Sequence, residues 1–200
     1  MYHIVTMERE YASGGNEIGR KLAKELGFQF YDHSILVEAA KRLEIPPIYI
    51  EDLEETVTGS LIFNLSQTAL GGTLKNTNDI PLTKRLFLEE KKIIEEIVDN
   101  GNCVIVGRCA SSILKDRKDC LNVFIHACKE YRIQRAIEHE HINPKEADEI
   151  LKKIDKRRSN FYHAHSNWIW GDKNYSHIIL DSGVLGIDTC IQLLLQAVKS

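Results

Sequence analysis

Long apolar runs are missing from this chain of 200 residues. No stretch approaches the ~18 residues that cross a bilayer, and no basic-then-apolar leader opens it. The expected location is the cytoplasm, away from membranes. A basic excess is missing too: 26 Lys and Arg against 29 Asp and Glu leave a formal net charge of −3. That gives no general polyanion-binding signal and argues against a dedicated nucleic-acid protein. The five cysteines, Cys103, Cys109, Cys120, Cys128 and Cys190, show no C-x-x-C spacing, and an odd number cannot all pair internally. They read as reduced thiols among apolar neighbours. No paired acidic ligands accompany His139 and His141, or His163 and His165, so no metal site is expected. No Ser–His–Asp or Cys–His arrangement is defensible from spacing either.

What is present is ordinary for a globular α/β domain: 43% hydrophobic and 28% charged residues. Four short apolar runs, 2–7, 103–106, 121–126 and 177–180, are dominated by β-branched or aromatic residues and read as buried parallel strands, with 28–31 a plausible fifth. Helical periodicity fills about 15–26, 33–43, 82–99, 109–115, 128–140, 144–162 and 186–198. Strands alternating with helices predict a parallel sheet covered on both faces. Residues 44–81 break the rhythm. Pro46-Pro47 ends a helix, Ile62, Phe63, Leu65 and Leu70 fit one amphipathic helix, and Gly71-Gly72 through Asn78 reads as a loop. Such an insertion covers a substrate, binds a partner, or is a surface excursion.

The most informative segment follows the first strand: Glu8-Arg9-Glu10-Tyr11-Ala12-Ser13-Gly14-Gly15-Asn16 leads into a helix carrying Ile18, Leu22 and Leu26. Strand, small-residue turn and helix together aim backbone N–H groups at an anion, and the helix N-terminus adds partial positive charge. The segment lacks the lysine and hydroxyl of G-x-x-x-x-G-K-[ST]. If phosphates bind at Ser13, Gly14, Gly15 and Asn16, another cation must neutralise them. Arg9, inside the loop, is the first choice, while Arg20 and Lys21 look solvated. A plain strand–helix turn is the alternative.

Other candidates fall at predicted strand ends. Asp32 closes the second strand, where its carboxylate could hold a magnesium water, accept a proton from an attacking hydroxyl, or cap a helix starting at His33. Arg108, an exposed cation after Val104-Ile105-Val106-Gly107, would grip phosphate oxygens or form a surface salt bridge. Arg132 and Arg135, at helical spacing, and Arg157 and Arg158 lie on helical stretches as either a solvated face or the charge of a mobile lid.

As an ordered set, these stretches resemble the cytidylate kinase-like family of P-loop kinases. The residues carrying the resemblance are Arg9 to Gly15 with Glu17-Ile18-Gly19, Phe30-Tyr31-Asp32, Val104 to Arg108, Asp155-Lys156-Arg157-Arg158, and Trp170-Gly171-Asp172 through Asp181. The resemblance implies one domain over 1–200: a three-layer α/β/α fold with a five-stranded parallel sheet. It assigns 44–81 to covering the acceptor and about 141–172 to a helical lid. It further implies transfer of the ATP γ-phosphoryl to CMP or dCMP with Mg2+. Arg9, Asp32 and Arg158 would then be catalytic, and Ser13, Gly14, Gly15, Asn16, Arg108, Arg132 and Arg157 nucleotide-binding. Where the family's kinases carry G-K-[GST]-T, this chain reads Gly14-Gly15-Asn16-Glu17; where they have Asp-[Ser/Thr]-Gly, it reads Asp32-His33-Ser34. The expected partner is a small nucleotide, with no nucleic acid and no membrane. The apolar residues of 44–81 also offer a homodimer surface. The rival expectation is a non-catalytic nucleotide- or phosphate-binding module.

Overall fold

The computed structural model describes residues 1–49 and 80–200. Along them run β1 (Ile4–Arg9), α1 (Gly15–Leu26), β2 (Gln29–Tyr31), α2 (Ser34–Arg42), a single 3-10 turn (Pro47–Tyr49), and α3 (Leu82–Asp99). Next come β3 (Cys103–Val106), α4 (Ala110–Ile113), β4 (Cys120–His126), α5 (Lys129–His139), α6 (Ala147–Ser166), β5 (Ile178–Asp181), α7 (Ser182–Leu185) and α8 (Ile187–Lys199). The five strands form one parallel sheet in the order β2-β3-β1-β4-β5. The amphipathic helix expected around Ile62 to Leu70, and most of the 44–81 insertion, lie outside the described residues.

β1 is the centre of the sheet, and all six of its residues are buried. Such a strand needs apolar side chains on both faces, which is why its pattern is a run rather than an alternation. Val5 and Met7 face one layer, packing with Val104, Val106, Leu121, Val123 and Ile125 against Ile18 and Leu22 of α1 and Leu194 and Val198 of α8. Ile4 faces the other, with Cys103, Ile105 and Cys120 against Ile35, Leu36 and Ala39 of α2 and Ile93, Ile94 and Val98 of α3. The burial of α1 at Ile18, Gly19, Leu22 and Ala23 follows its 3.6-residue period. Each fully buried Leu or Ile contributes roughly 1.5–3 kcal/mol. A smaller third cluster, Cys109, Phe161 and Tyr162 with Phe87, Trp168 and Trp170, fastens α6 to the strand ends.

Three boundaries differ from expectation in ways that matter for the site. β1 runs to Arg9 instead of stopping at Met7, because β4 keeps pairing with it as far as Arg9 opposite Ile125. Arg9 is therefore the last residue of a central strand, not a loop residue. The helix after Asp32 begins at Ser34, and its N-cap position, His33, makes no side-chain cap. The lid-region helix spans Ala147–Ser166, later than the expected 144–162.

Candidate phosphate site

Beyond the C-terminal end of β1 the chain turns through Ala12 and Gly14, at φ 56° and 81°, into α1. Gly14 is the N-cap and supplies no side-chain cap. The first helical bond is Ile18 N–H to the Gly14 carbonyl at 2.9 Å. The N–H groups ahead of it have no intrahelical acceptor, as at any helix start. They front a cavity of about 200 Å3 lined by Gly14, Gly15, Asn16, Glu17, Arg9, Glu10, Tyr11, Arg135, His139, Glu140 and Arg158 among others. A helix start, a cavity and three guanidinium groups thus coincide.

Arg9 explains the glycine beside it. A Cβ on Gly15 would stand 2.5 Å from Arg9 Cβ and 2.8 Å from its Cγ, and one on Gly107 would stand 2.7 Å from Arg9 Nη1. The arginine side chain lies across both glycines, and its Nε donates to Asn16 Oδ1 at 2.9 Å. Only 7% of Arg9 is exposed. Where the common loop sends a lysine out from the helix, this chain keeps that helix position bare and sends a guanidinium in from the strand.

The outer side of the turn is held by α5 and α6. Arg158 Nη1 donates to the Arg9 carbonyl at 3.1 Å, and its guanidinium lies 5.7 Å from the Tyr11 ring centre. Arg132 donates to the Tyr11 carbonyl at 3.3 Å and to Asp155, which accepts from Tyr11 N–H at 2.7 Å. The Glu10 carboxylate accepts from Ala127 N–H at 3.2 Å and pairs with Arg132 Nε at 3.3 Å. Asp155 and Arg158 of the expected lid therefore already rest on the loop's main chain. Arg157 also lies on α6 but does not line the cavity.

Arg135, read with Arg132 as a solvated face or lid charge, was given no site role by the resemblance. It lies over Gly14, its Cζ 3.5 Å from where a Cβ would be, and its Nη2 donates to Glu17 at 2.9 Å. Its spacing from Arg132 along α5 was the available signal. Glu17 also pairs with Lys21 at 2.8 Å, and these bonds, the Lys21 one foremost, hold its carboxyl below the usual carboxylate range. Burial foremost, with the nearby Glu140 charge second, raises the Tyr11 phenol.

Two expected residues are placed elsewhere. Arg108 is not an exposed cation. It is 6% exposed, donates to Glu90 at 2.9 Å, lies 5.1 Å from the Phe161 ring centre, and does not line the cavity. The cause is a positive φ at Gly107, Arg108 and Cys109 in succession, which turns the chain back against α3 and α6. Asp32 neither caps α2 nor lines the cavity; it pairs with Arg20 at 3.1 Å.

A sheet of this order with a glycine turn after its central strand is that of the P-loop kinases. The chain covers 98% of itself and 98% of an uncharacterized protein from Eubacterium ventriosum ATCC 27560, at TM-score 0.74 and 24% identity. It resembles a shikimate kinase from Acinetobacter baumannii, solved in complex with shikimate, over 100% of this chain and 94% of that one, at TM-score 0.56 and 15% identity. A gluconokinase from Sinorhizobium meliloti 1021 matches over 99% and 91%, at TM-score 0.56 and 14% identity. These likenesses show the fold. No curated protein sequence matches. The cytidylate kinase-like family pattern matches residues 4–184, and the chain belongs to that family.

P-loop kinases use a nucleotide and magnesium in general. Among the described residues no group of three or more His, Cys, Asp or Glu side chains is placed to hold a metal. Of the cavity's oxygen donors, Asn16 is engaged by Arg9, Glu17 by Lys21 and Arg135, and Glu10 by Arg132. These residues do not fit a resident magnesium site. Likewise, among the described residues no helix is long and apolar enough to cross a membrane.

Proposed function

We propose that the chain is an ATP-dependent phosphotransferase acting on a small phosphorylated acceptor, a nucleoside monophosphate, with CMP and dCMP the first to try on the strength of the family. The observation that carries this reading is the placement of the Arg9 side chain, laid across Gly15 and bordering a cavity in front of the α1 N-terminus. In such a reaction an acceptor phosphate oxygen bonds to the γ-phosphorus as the bond to the β–γ bridging oxygen breaks, and ADP leaves. Charge spreads over the transferring oxygens, so positioning and neutralisation are the protein's contribution. Gly14, Gly15 and Asn16 N–H groups receive phosphate oxygens, with Ser13 shaping the turn. Arg9 and Arg135 neutralise them, and Arg158 meets the developing charge. Arg132 holds the loop through Tyr11 and Asp155. A cytoplasmic, single-domain protein with 141–172 as its lid accords with this reading.

The test is a thermal-shift panel of nucleotides with a coupled assay of ADP release, with and without each monophosphate. Arg9→Ala should weaken ATP binding about 10–100-fold, the scale of a hydrogen bond to a charged group. Arg158→Ala should chiefly lower turnover. Variants that bind and react like the parent overturn these roles. A second reading, binding without transfer, is favoured by cations already bonded within the protein: Arg158 to Arg9, and Arg135 to Glu17. Nucleotide binding with no ADP release for any monophosphate would select it.

A further inference from the structure

Ser182, the first residue of α7, is fully buried and does not line the cavity, yet it touches the turn from 169 residues away. Its hydroxyl donates to the Ser13 carbonyl at 2.6 Å and lies 3.1 Å from the His126 carbonyl. Ser13 is also fully buried, and its own hydroxyl donates to the Glu10 carbonyl at 2.8 Å and lies 3.3 Å from the Ile125 carbonyl. Asp181 fixes Ser182 in place by accepting from Gly183 N–H at 2.9 Å and Val184 N–H at 3.2 Å. Just beyond, Ile187 Cδ1 stands 2.4 Å from where a Gly14 Cβ would be, so α8 packs directly against the turn.

Planarity gives the hydroxyl its leverage. In a trans peptide the C=O and N–H point in opposite directions. Holding the Ser13 carbonyl toward Ser182 therefore directs the Gly14 N–H away from it. Gly14, in the left-handed region, tolerates rotation of that peptide better than any other residue. A rotated peptide would withdraw an N–H from the anion site and present a carbonyl oxygen, which repels phosphate.

We propose that Ser182 is a positioning residue of the phosphate turn, locking the Ser13–Gly14 peptide with its N–H toward the anion. The proposal rests on reading the turn as a phosphate cup. Ser182→Ala and the near-isosteric Ser182→Cys, a weak donor, are compared with the parent at a temperature where all three are folded. Affinity for inorganic tripolyphosphate is measured by calorimetry, and Gly14 amide exchange by nuclear magnetic resonance in ligand-free protein. Both variants should bind tripolyphosphate at least about 10-fold more weakly, with slower Gly14 exchange as the N–H turns away from the open cavity. A purely structural serine would lower the melting temperature and leave the affinity of folded protein unchanged. Affinities within twofold of the parent, or unaltered Gly14 exchange, overturn the proposal. If the parent itself binds no tripolyphosphate, the phosphate-cup reading falls and takes the positioning role with it, whereas a parent that binds while both variants match it sinks Ser182 alone. Should the alanine variant not fold, the cysteine variant decides.

Discussion

Arg9 and Arg108 stand at the ends of neighbouring parallel strands, both beside Gly107 and both nearly buried, in different surroundings. Arg9 donates to the Asn16 amide oxygen and borders a cavity. Arg108 meets Glu90, a carboxylate only 1% exposed, and lies among aromatic rings. A buried guanidinium that borders a cavity leaves its charge within reach of an anion. One bonded to a buried carboxylate has spent much of it holding two elements together. The difference lies across the strand ends, in what α1 and α3 bring to each guanidinium.

The largest effect should come from Arg108. Removing it takes from buried Glu90 the guanidinium it is bonded to, and breaking a buried pair costs about 3–5 kcal/mol. Arg108→Met alone should thus destabilise strongly in urea unfolding, whereas Arg108→Met with Glu90→Leu should recover most of the loss. If the single variant is as stable as the parent, the contrast with Arg9 collapses.

That contrast also marks what was legible in the sequence. Strand and helix periodicity carried the sheet, because β1, β3 and β4 are buried runs and α1 and α3 keep one apolar face. The turn was legible because Gly14-Gly15 follows such a run directly. Arg108 was misread because Glu90 lies 18 residues away on a helix most of whose other charged residues are exposed; one inward glutamate leaves no mark on a 3.6-residue pattern. Arg135 was left without a site role, and Ser182 escaped notice, for a related reason. Their partners, Glu17 and Ser13, are more than a hundred residues distant and meet them only once the sheet order is known.

The region around Arg108 makes a second prediction, through pH. His165 stacks on Phe87 with ring centres 3.8 Å apart; burial first, then the Arg108 charge, lowers its imidazole to about 4. The folded protein therefore keeps His165 neutral where an unfolded chain, near 6.5, takes up a proton. Below pH 6.5 the unfolded state binds more protons, so stability falls as pH drops from about 6.5 to about 4 and levels off beneath. The contribution is on the order of 2–3 kcal/mol. His165→Phe, which keeps a ring on Phe87, should flatten that part of the stability profile. An unchanged slope would show that the imidazole is not shielded by the Arg108 cluster.

The Arg9 side is best probed by the glycine that makes room for it. Gly15→Ala places a Cβ against Arg9 Cβ and Cγ, the stiff part of the side chain, so the arginine must leave its berth. Forcing a methyl into a packed site costs about 1–3 kcal/mol. Nucleotide affinity should fall about 10-fold, because the displaced guanidinium is also the neutralising charge. The reciprocal change separates crowding from charge. Arg9→Gly with Gly15→Lys removes the obstruction and returns a cation from the helix, so ATP affinity should recover relative to Gly15→Ala. Arg9→Gly alone frees the same space without replacing the charge, and should bind as weakly as Arg9→Ala. If Gly15→Ala binds ATP as the parent does, Arg9 is a packing arginine like Arg108, and the two strand ends do not differ in kind.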